Sequence, residues 1–334
     1  MKSYSTILFI VLSVSVIAFF AIDMAIGAIN IPLRDVWAAL TGGDCPPMTK
    51  KIILNIRLLK AIVAMLAGAA LSVSGLQMQT LFRNPLAGPY VLGISSGASL
   101  GVAIFILGAP ILGISINSVF STLGIAGAAW IGAAAILGII ASISRRIKDI
   151  MVILILGIMF GSGVSAIVQI LQYLSNESSL KAFVIWTMGS LGDVTVIQLS
   201  LLIPAVVAGL LLSVIVIKPL NLLLLGENYA RTMGLNVSRS RQLVFLSTIL
   251  LAGTVTAFCG PIGFIGLAVP HLARLLFANA DHRILTPGTA LIGAIVMLLC
   301  DIVSKLLTLP VNTITALMGI PIVIWIVIRN KNIF

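Results

Sequence analysis

Residues 150–174 read IMVILILGIMFGSGVSAIVQILQYL, a run without a charged side chain. Coiled as an α-helix at about 1.5 Å per residue, it is long enough to cross the ~30 Å hydrocarbon core of a bilayer. Within it Gly157 and Gly161 stand four apart, a spacing at which helix backbones approach closely where packing must replace the hydrophobic effect.

The rest of the chain has the same character. Of 334 residues 60% are apolar and 9% charged, against about 45–50% and about 25% in soluble domains. No soluble fold of this size hides that much apolar surface, whereas lipid removes the need to hide it. Breaks at charges and at Gly/Pro/Asn clusters give ten spans, near residues 5–29, 54–81, 90–108, 120–142, 150–174, 195–217, 242–259, 261–278, 287–308 and 312–328. The fold class is therefore all-α, a polytopic membrane protein of about ten transmembrane helices. The third, eighth and tenth spans are short or broken by Gly and Pro, which is tolerated at membrane depth only where freed backbone groups face protein or a watery cavity. The apolar run over 7–29 exceeds a signal-peptide core of about 7–15 residues and is expected to remain as a span. With no internal repeat and no low-complexity linker, residues 1–334 are expected to form a single membrane domain.

The formal charge of +11 is scattered through short gaps between apolar runs. It carries no cluster with aromatics of the kind that binds nucleic acid, so nucleic acid is not an expected partner. With both termini inside, the inner loops collect Lys2, Arg83, Arg145, Arg146, Lys148, Lys218, Arg231, Arg239, Arg241, Arg283, Arg329 and Lys331. That bias predicts cytoplasmic termini. The first outer loop nevertheless carries Arg34, Lys50, Lys51, Arg57 and Lys60, which oppose the topology signal and suggest a docking partner. Cys45, Cys259 and Cys300 lack metal-type spacing. No metal and no cofactor is expected.

Three segments differ from plain spans. In LLGENYARTMGLNVSRS, 224–240, Gly226 and Gly234 bracket a short helix-forming run; Glu227 sits at its start, where the helix dipole favours an anion, and Arg231 follows at the i+4 position for an ion pair. In RNPLAGPYVLGISSGASLG, 83–101, Pro85 and Pro89 force a turn and re-entry through a helix of small residues. Its serines either line a polar path or bond back to their own helix. In GPIGFIGLAVPHLAR, 260–274, Pro261 and Pro270 bound a Gly-rich apolar segment in which a helix can begin at Pro270, so that His271 and Arg274 share one face. Among the acidic residues Asp23, Asp193 and Asp301, only Asp301 reads as deep, with Lys305 four residues on as its partner.

These three segments resemble the signatures of the FecCD-type permeases, membrane subunits of bacterial ATP-driven importers for iron-siderophore complexes, haem and cobalamin, and the likeness runs from about residue 50 to the end. The matching signature residues are Arg83, Asn84, Pro85, Gly93, Ser96, Gly97, Pro261, Gly263, Pro270, His271 and Arg274. The resemblance implies a type II ABC importer permease in the bacterial inner membrane: a homodimer with the path on its two-fold axis, two ATPase subunits below and a substrate-binding protein docking from outside. No GxxxxGK[ST] phosphate loop is present, so a catalytic role is not expected and ATP hydrolysis is assigned to the partner. Carried over by residue, Gly226, Glu227, Tyr229, Ala230, Arg231 and Gly234 form the coupling helix that sits in the ATPase. Residues 151–173 and 316–328 line the path, with Gly157, Gly161, Ser165, Gln169 and Met318 as its candidates. The family's outer R-L-P-R pattern reads Arg57-Leu58-Leu59-Lys60 here, keeping charge but losing one bidentate donor. Lys305 is assigned to docking with Arg57 and Lys60.

Two rivals remain. An ion-coupled transporter would show buried carboxylates near the midplane of two related halves, and a membrane enzyme would need a nucleophile with its base, or a metal cluster, inside the spans. Siderophore, haem and cobalamin remain open as cargo.

Overall fold

The computed structural model describes residues 2–27, 29–109, 118–147 and 149–329. The topology residues Lys148 and Lys331 lie outside the described residues. In chain order the helices are α1 (Lys2–Ala25), α2 (Leu33–Thr41), α3 (Pro47–Leu81), α4 (Ile94–Gly108), α5 (Ser118–Ser144), α6 (Ile150–Leu174) and α7 (Glu177–Thr187), followed by α8 (Val196–Ile215), α9 (Ile217–Leu224), α10 (Glu227–Thr232), α11 (Val237–Cys259), α12 (Ile265–Phe277), α13 (His282–Leu307) and α14 (Val311–Arg329). Among the described residues there is no strand.

Among the described residues, seven helices (α1, α3, α5, α6, α8, α11 and α13) are long and apolar enough to cross a membrane. The three shorter apolar helices α4, α12 and α14 fall on the weak third, eighth and tenth spans. In α4 and α12 the Gly and Pro content has the expected consequence, whereas α14 leaves Leu317, Ile320, Pro321 and Ile324 exposed. Ile94, Gly97, Ala98, Val102 and Ala103 of α4 are buried, as are Gly266, Ala268, Val269, Pro270 and Ala273 of α12.

The middle of the molecule is α3, buried along most of its second half and packed against α13, α12, α1, α8 and α11. Small residues make this possible. A Cβ on Gly75 would overlap the Gly266 carbonyl of α12, and one on Gly68 would overlap that of Gly293 in α13. The Ser72 hydroxyl lies 3.0 Å from the Thr289 carbonyl across the α3–α13 contact. A second apolar core gathers the end of α3 with α4, α5, α6, α9 and α11. There Gly97 meets Gly132 backbone to backbone, so the expected small-residue packing operates inside the chain.

One element begins earlier than expected. α12 starts at Ile265, and Pro270 lies inside it. The ring removes the N–H that would have bonded the Gly266 carbonyl, and that carbonyl is the one pressed against Gly75. Tight packing on α3 thus holds a helix through a proline that the local sequence reads as a boundary.

Candidate functional site

The turn after α3 carries Arg83 in a left-handed conformation (φ 48°), then Asn84, whose side-chain oxygen accepts from Leu86 N at 2.9 Å. A 3-10 turn over Pro89–Leu92 follows, and Gly93 (φ 73°) redirects the chain into α4. This re-entrant corner faces α6 across an open cavity of about 540 Å³. Gly93 and Ser96 line one side, and Gly157, Gly161, Ser165 and Gln169 the other. Four of the five expected path residues are thereby brought together with two signature residues.

The two glycines of α6 do different work. A Cβ at Gly157 would stand 2.8 Å from the Val91 carbonyl, so this position is closed by packing. One at Gly161 would meet the Ser96 hydroxyl at 3.3 Å, beside the cavity. The Ser165 hydroxyl bonds back to the Gly161 carbonyl at 2.9 Å, while Ser96, Ser162 and Gln169 keep the small-residue walls polar as well as apolar. Met318 is not among the lining residues; it sits on α14 with its sulfur 3.6 Å from Cys300 Sγ of α13. Tyr90, missed in the sequence, also lines the cavity, and its hydroxyl accepts from Thr256 Oγ1 at 3.2 Å and from Ile262 N at 3.4 Å.

At the end of the molecule where α3 finishes, α10 forms the short helix expected between Gly226 and Gly234. Both glycines have positive φ, 105° and 82°. Leu235 N bonds the Ala230 carbonyl at 2.9 Å and Gly234 N bonds that of Arg231 at 3.0 Å, closing the helix with the left-handed Schellman stop that glycine favours. Ala230 is buried, while Tyr229 and Arg231 are exposed. The expected Glu227–Arg231 pair is present at 3.6 Å, but a second arginine lies closer: Arg241 of α11, its side chain only 3% exposed, bonds Glu227 Oε1 directly. Sequence reading counted Arg241 only as a topology charge.

Two other signature residues brace the same end. His271 Nε2 donates to the Pro85 carbonyl at 2.8 Å, and Arg274 donates to Gln79 Oε1 at 2.6 Å, so their shared face points at the end of α3. Gly263 N donates to Asn312 Oδ1 at 2.9 Å, tying the segment after Pro261 to α14. Asp281 caps α13. Its carboxyl is held below the usual carboxylate range first by the Arg283 backbone N–H, with the Asn221 amide at 2.6 Å adding to this against a small burial cost.

At the opposite end the charges are gathered inward. Asp23 and Asp301 are both fully buried, so Asp23 is as deep as Asp301, contrary to the sequence expectation. The physical reason is a shared cation: Lys305 Nζ stands 2.8 Å from a carboxylate oxygen of each and also donates to the Asp23 carbonyl at 2.9 Å. Lys60 pairs with Asp301 at 3.0 Å. Arg57 is buried and donates to the carbonyls of Met24 (2.8 Å), Ala25 (2.7 Å) and Ile29, which satisfies the end of α1. Of the three residues assigned to docking, Lys60 is the most exposed, at 22% of its side chain, against 10% for Lys305. An ionisable residue inside an apolar run was the available signal for Asp23; nothing in the sequence names its partner 282 residues away.

A model of the FecCD transport family matches residues 15–329. The hemin transport system permease protein of Yersinia pestis is 38% identical over 91% of this chain and 90% of its own length. The vitamin B12 import system permease protein of Salmonella paratyphi A is 38% identical over 83% of each. Among solved structures, an inward-facing ABC transporter of metal-chelate type superposes with a TM-score of 0.83 at 30% identity, covering 97% of this chain and 99% of that one.

Proposed function

The chain belongs to the FecCD transport family, as a membrane permease of an ABC importer, and we propose that its cargo is an iron complex, hemin or a ferric siderophore, carried inward across the bacterial inner membrane. The observation that carries the reading is a Gly- and Ser-lined cavity beside a re-entrant corner that follows directly on the end of α3, the end that also bears α10. Walls of this kind hold a cargo loosely enough to release it, and no covalent chemistry is assigned to the chain.

On this reading two copies pair through the exposed face of α6, which presents Ile158, Met159, Ile167 and Ile170, and the cavities meet on the two-fold axis. α10 enters a groove of a separate ATPase subunit, with both termini on that cytoplasmic side. A substrate-binding protein docks on the opposite end. Of the three residues assigned to docking, Lys60 is the best placed to meet it, while Arg57 and Lys305 support the surface from beneath. Loaded binding protein, ATP-driven closure of the ATPase pair and movement of α10 then switch the open side of the path.

A cobalamin cargo is the second reading, favoured by the 38% identity to a vitamin B12 permease. The test is uptake into proteoliposomes holding the permease, its ATPase and its binding protein, with hemin, a ferric siderophore and cyanocobalamin supplied separately. ATP-dependent accumulation of an iron complex supports the first reading. Accumulation of cobalamin alone replaces it with the second.

A further inference from the structure

We infer that Arg241 is the positioning residue that fastens the coupling helix α10 to the membrane-spanning helix α11, making one rigid lever of the two. The inference rests on the coupling role proposed above for α10 and assigns a residue to its transmission.

A six-residue helix has little stability of its own, and α10 is flanked by two glycines at positive φ, the most pliable joints a chain can have. Force applied to α10 would be lost as hinge motion at Gly226 and Gly234 unless a side chain bridged across them. Ala230, buried beneath the helix, gives a contact without direction. Arg231 reaches Glu227 on the same helix and is 45% exposed, so that pair stiffens α10 but ties it to nothing else. Arg241 bonds Glu227 from another element, past the Gly234 joint. Its guanidinium also donates, through Nη1, to the Ile147 carbonyl in the turn after α5 at 3.3 Å. One planar fork therefore joins α10, α11 and the end of α5, a three-way contact that a single ammonium cannot reproduce. Asn236 caps α11 by accepting from Arg239 N at 3.0 Å, so the helix carrying Arg241 starts firmly. From there α11 runs to Cys259, beside Tyr90 and the cavity.

The experiment uses the full permease assembled with its ATPase, in nanodiscs for distances and in proteoliposomes with its binding protein for transport, with spin labels at exposed positions 232 on α10 and 239 on α11. With Arg241 present, one narrow distance distribution is expected, the same without nucleotide and with ATP plus vanadate. In Arg241→Lys the distribution broadens or shifts with nucleotide, and cargo moved per ATP hydrolysed falls about tenfold, equivalent to ~1.4 kcal/mol of lost coupling. A merely structural arginine would lower the amount of protein and leave that ratio alone. An Arg241→Lys protein with unchanged distances and ratio overturns the inference, and so does one of low yield whose surviving fraction behaves as the wild type. Gly234→Val separates the two levels. If it leaves ATP-driven transport intact while Arg241→Lys loosens the distances, the coupling role of α10 fails and Arg241 is only a brace; if it uncouples transport while Arg241→Lys does not, the lever alone fails.

Discussion

Replacing Asp301 by Asn should be among the most destabilising single changes at the outer end of the molecule. Its carboxylate is fully buried and meets Lys60 at 3.0 Å and Lys305 at 2.8 Å. Removing one partner of a buried ion pair costs about 3–5 kcal/mol, because the remaining charge stays where water cannot reach it. The two lysines should not share that cost equally. Lys60 keeps 22% of its side chain exposed and can swing into water, so Lys60→Met should cost only about 1 kcal/mol, in the range of a surface pair. Lys305 is 10% exposed and bonded to both carboxylates, so Lys305→Met should approach the buried-pair range of about 3 kcal/mol or more. Thermal unfolding in nanodiscs can be read with a thiol-reactive dye, since Cys259 and Cys300 are buried and free, once the partly exposed Cys45 is changed to Ser. A double-mutant cycle should then give a coupling of about 2 kcal/mol or more for Asp301 with Lys305 and below about 1 kcal/mol for Asp301 with Lys60. Equal couplings, or an Asp301→Asn protein no less stable than Lys60→Met, would refute the reasoning that Lys305 is the hub.

Other predictions follow from the same geometry. Gly157→Ala should lower stability, as its Cβ meets the Val91 carbonyl, whereas Gly161→Leu should leave folding near normal and block uptake by filling the cavity; stability and uptake measured on both variants check the division. Arg231→Glu combined with Gly234→Val should insert and bind the loaded binding protein but lose ATP-driven uptake, the strain at Gly234 costing about 1 kcal/mol or more. Lys60→Gln should weaken docking of the binding protein severalfold at low salt and have little effect at high salt, where screening already removes the contribution; unchanged titration curves would end the docking role. Asp281→Ala should cost about 1 kcal/mol at neutral pH through loss of the α13 cap. Because its folded carboxyl is depressed, that contribution is present above the unfolded value of about 4 and disappears as pH falls through the lowered one. Melting of variant and parent across that range measures it.

The fold was legible because span length and apolar composition are local properties: a run such as 150–174 needs no knowledge of its neighbours to be read as a crossing helix. The short broken spans were legible as exceptions for the same reason, since Gly and Pro cannot face hydrocarbon unpaired. The coupling segment was readable down to its Glu227–Arg231 pair and its left-handed Gly234, all within one turn or two of sequence. What escaped depends on contacts that the sequence does not order. Arg241 approaches Glu227 only because α11 folds back under α10, and Lys305 finds Asp23 only because α13 and α1 end on the same side. Arg57 looked like an exposed docking charge from its family pattern, yet three carbonyls at the end of α1 claim it. The start of α12 was misread because local proline rules yield to packing against Gly75.

The most direct measurement is uptake into sealed proteoliposomes containing the permease with its binding protein, with and without the ATPase subunits, in the presence of internal or external ATP and of imposed ion gradients. Uptake should require the ATPase together with ATP on its own side, and a gradient alone should move nothing. Accumulation driven by a proton or sodium gradient in vesicles lacking the ATPase would contradict this, and would turn the buried Asp23 and Asp301 into parts of an ion pathway.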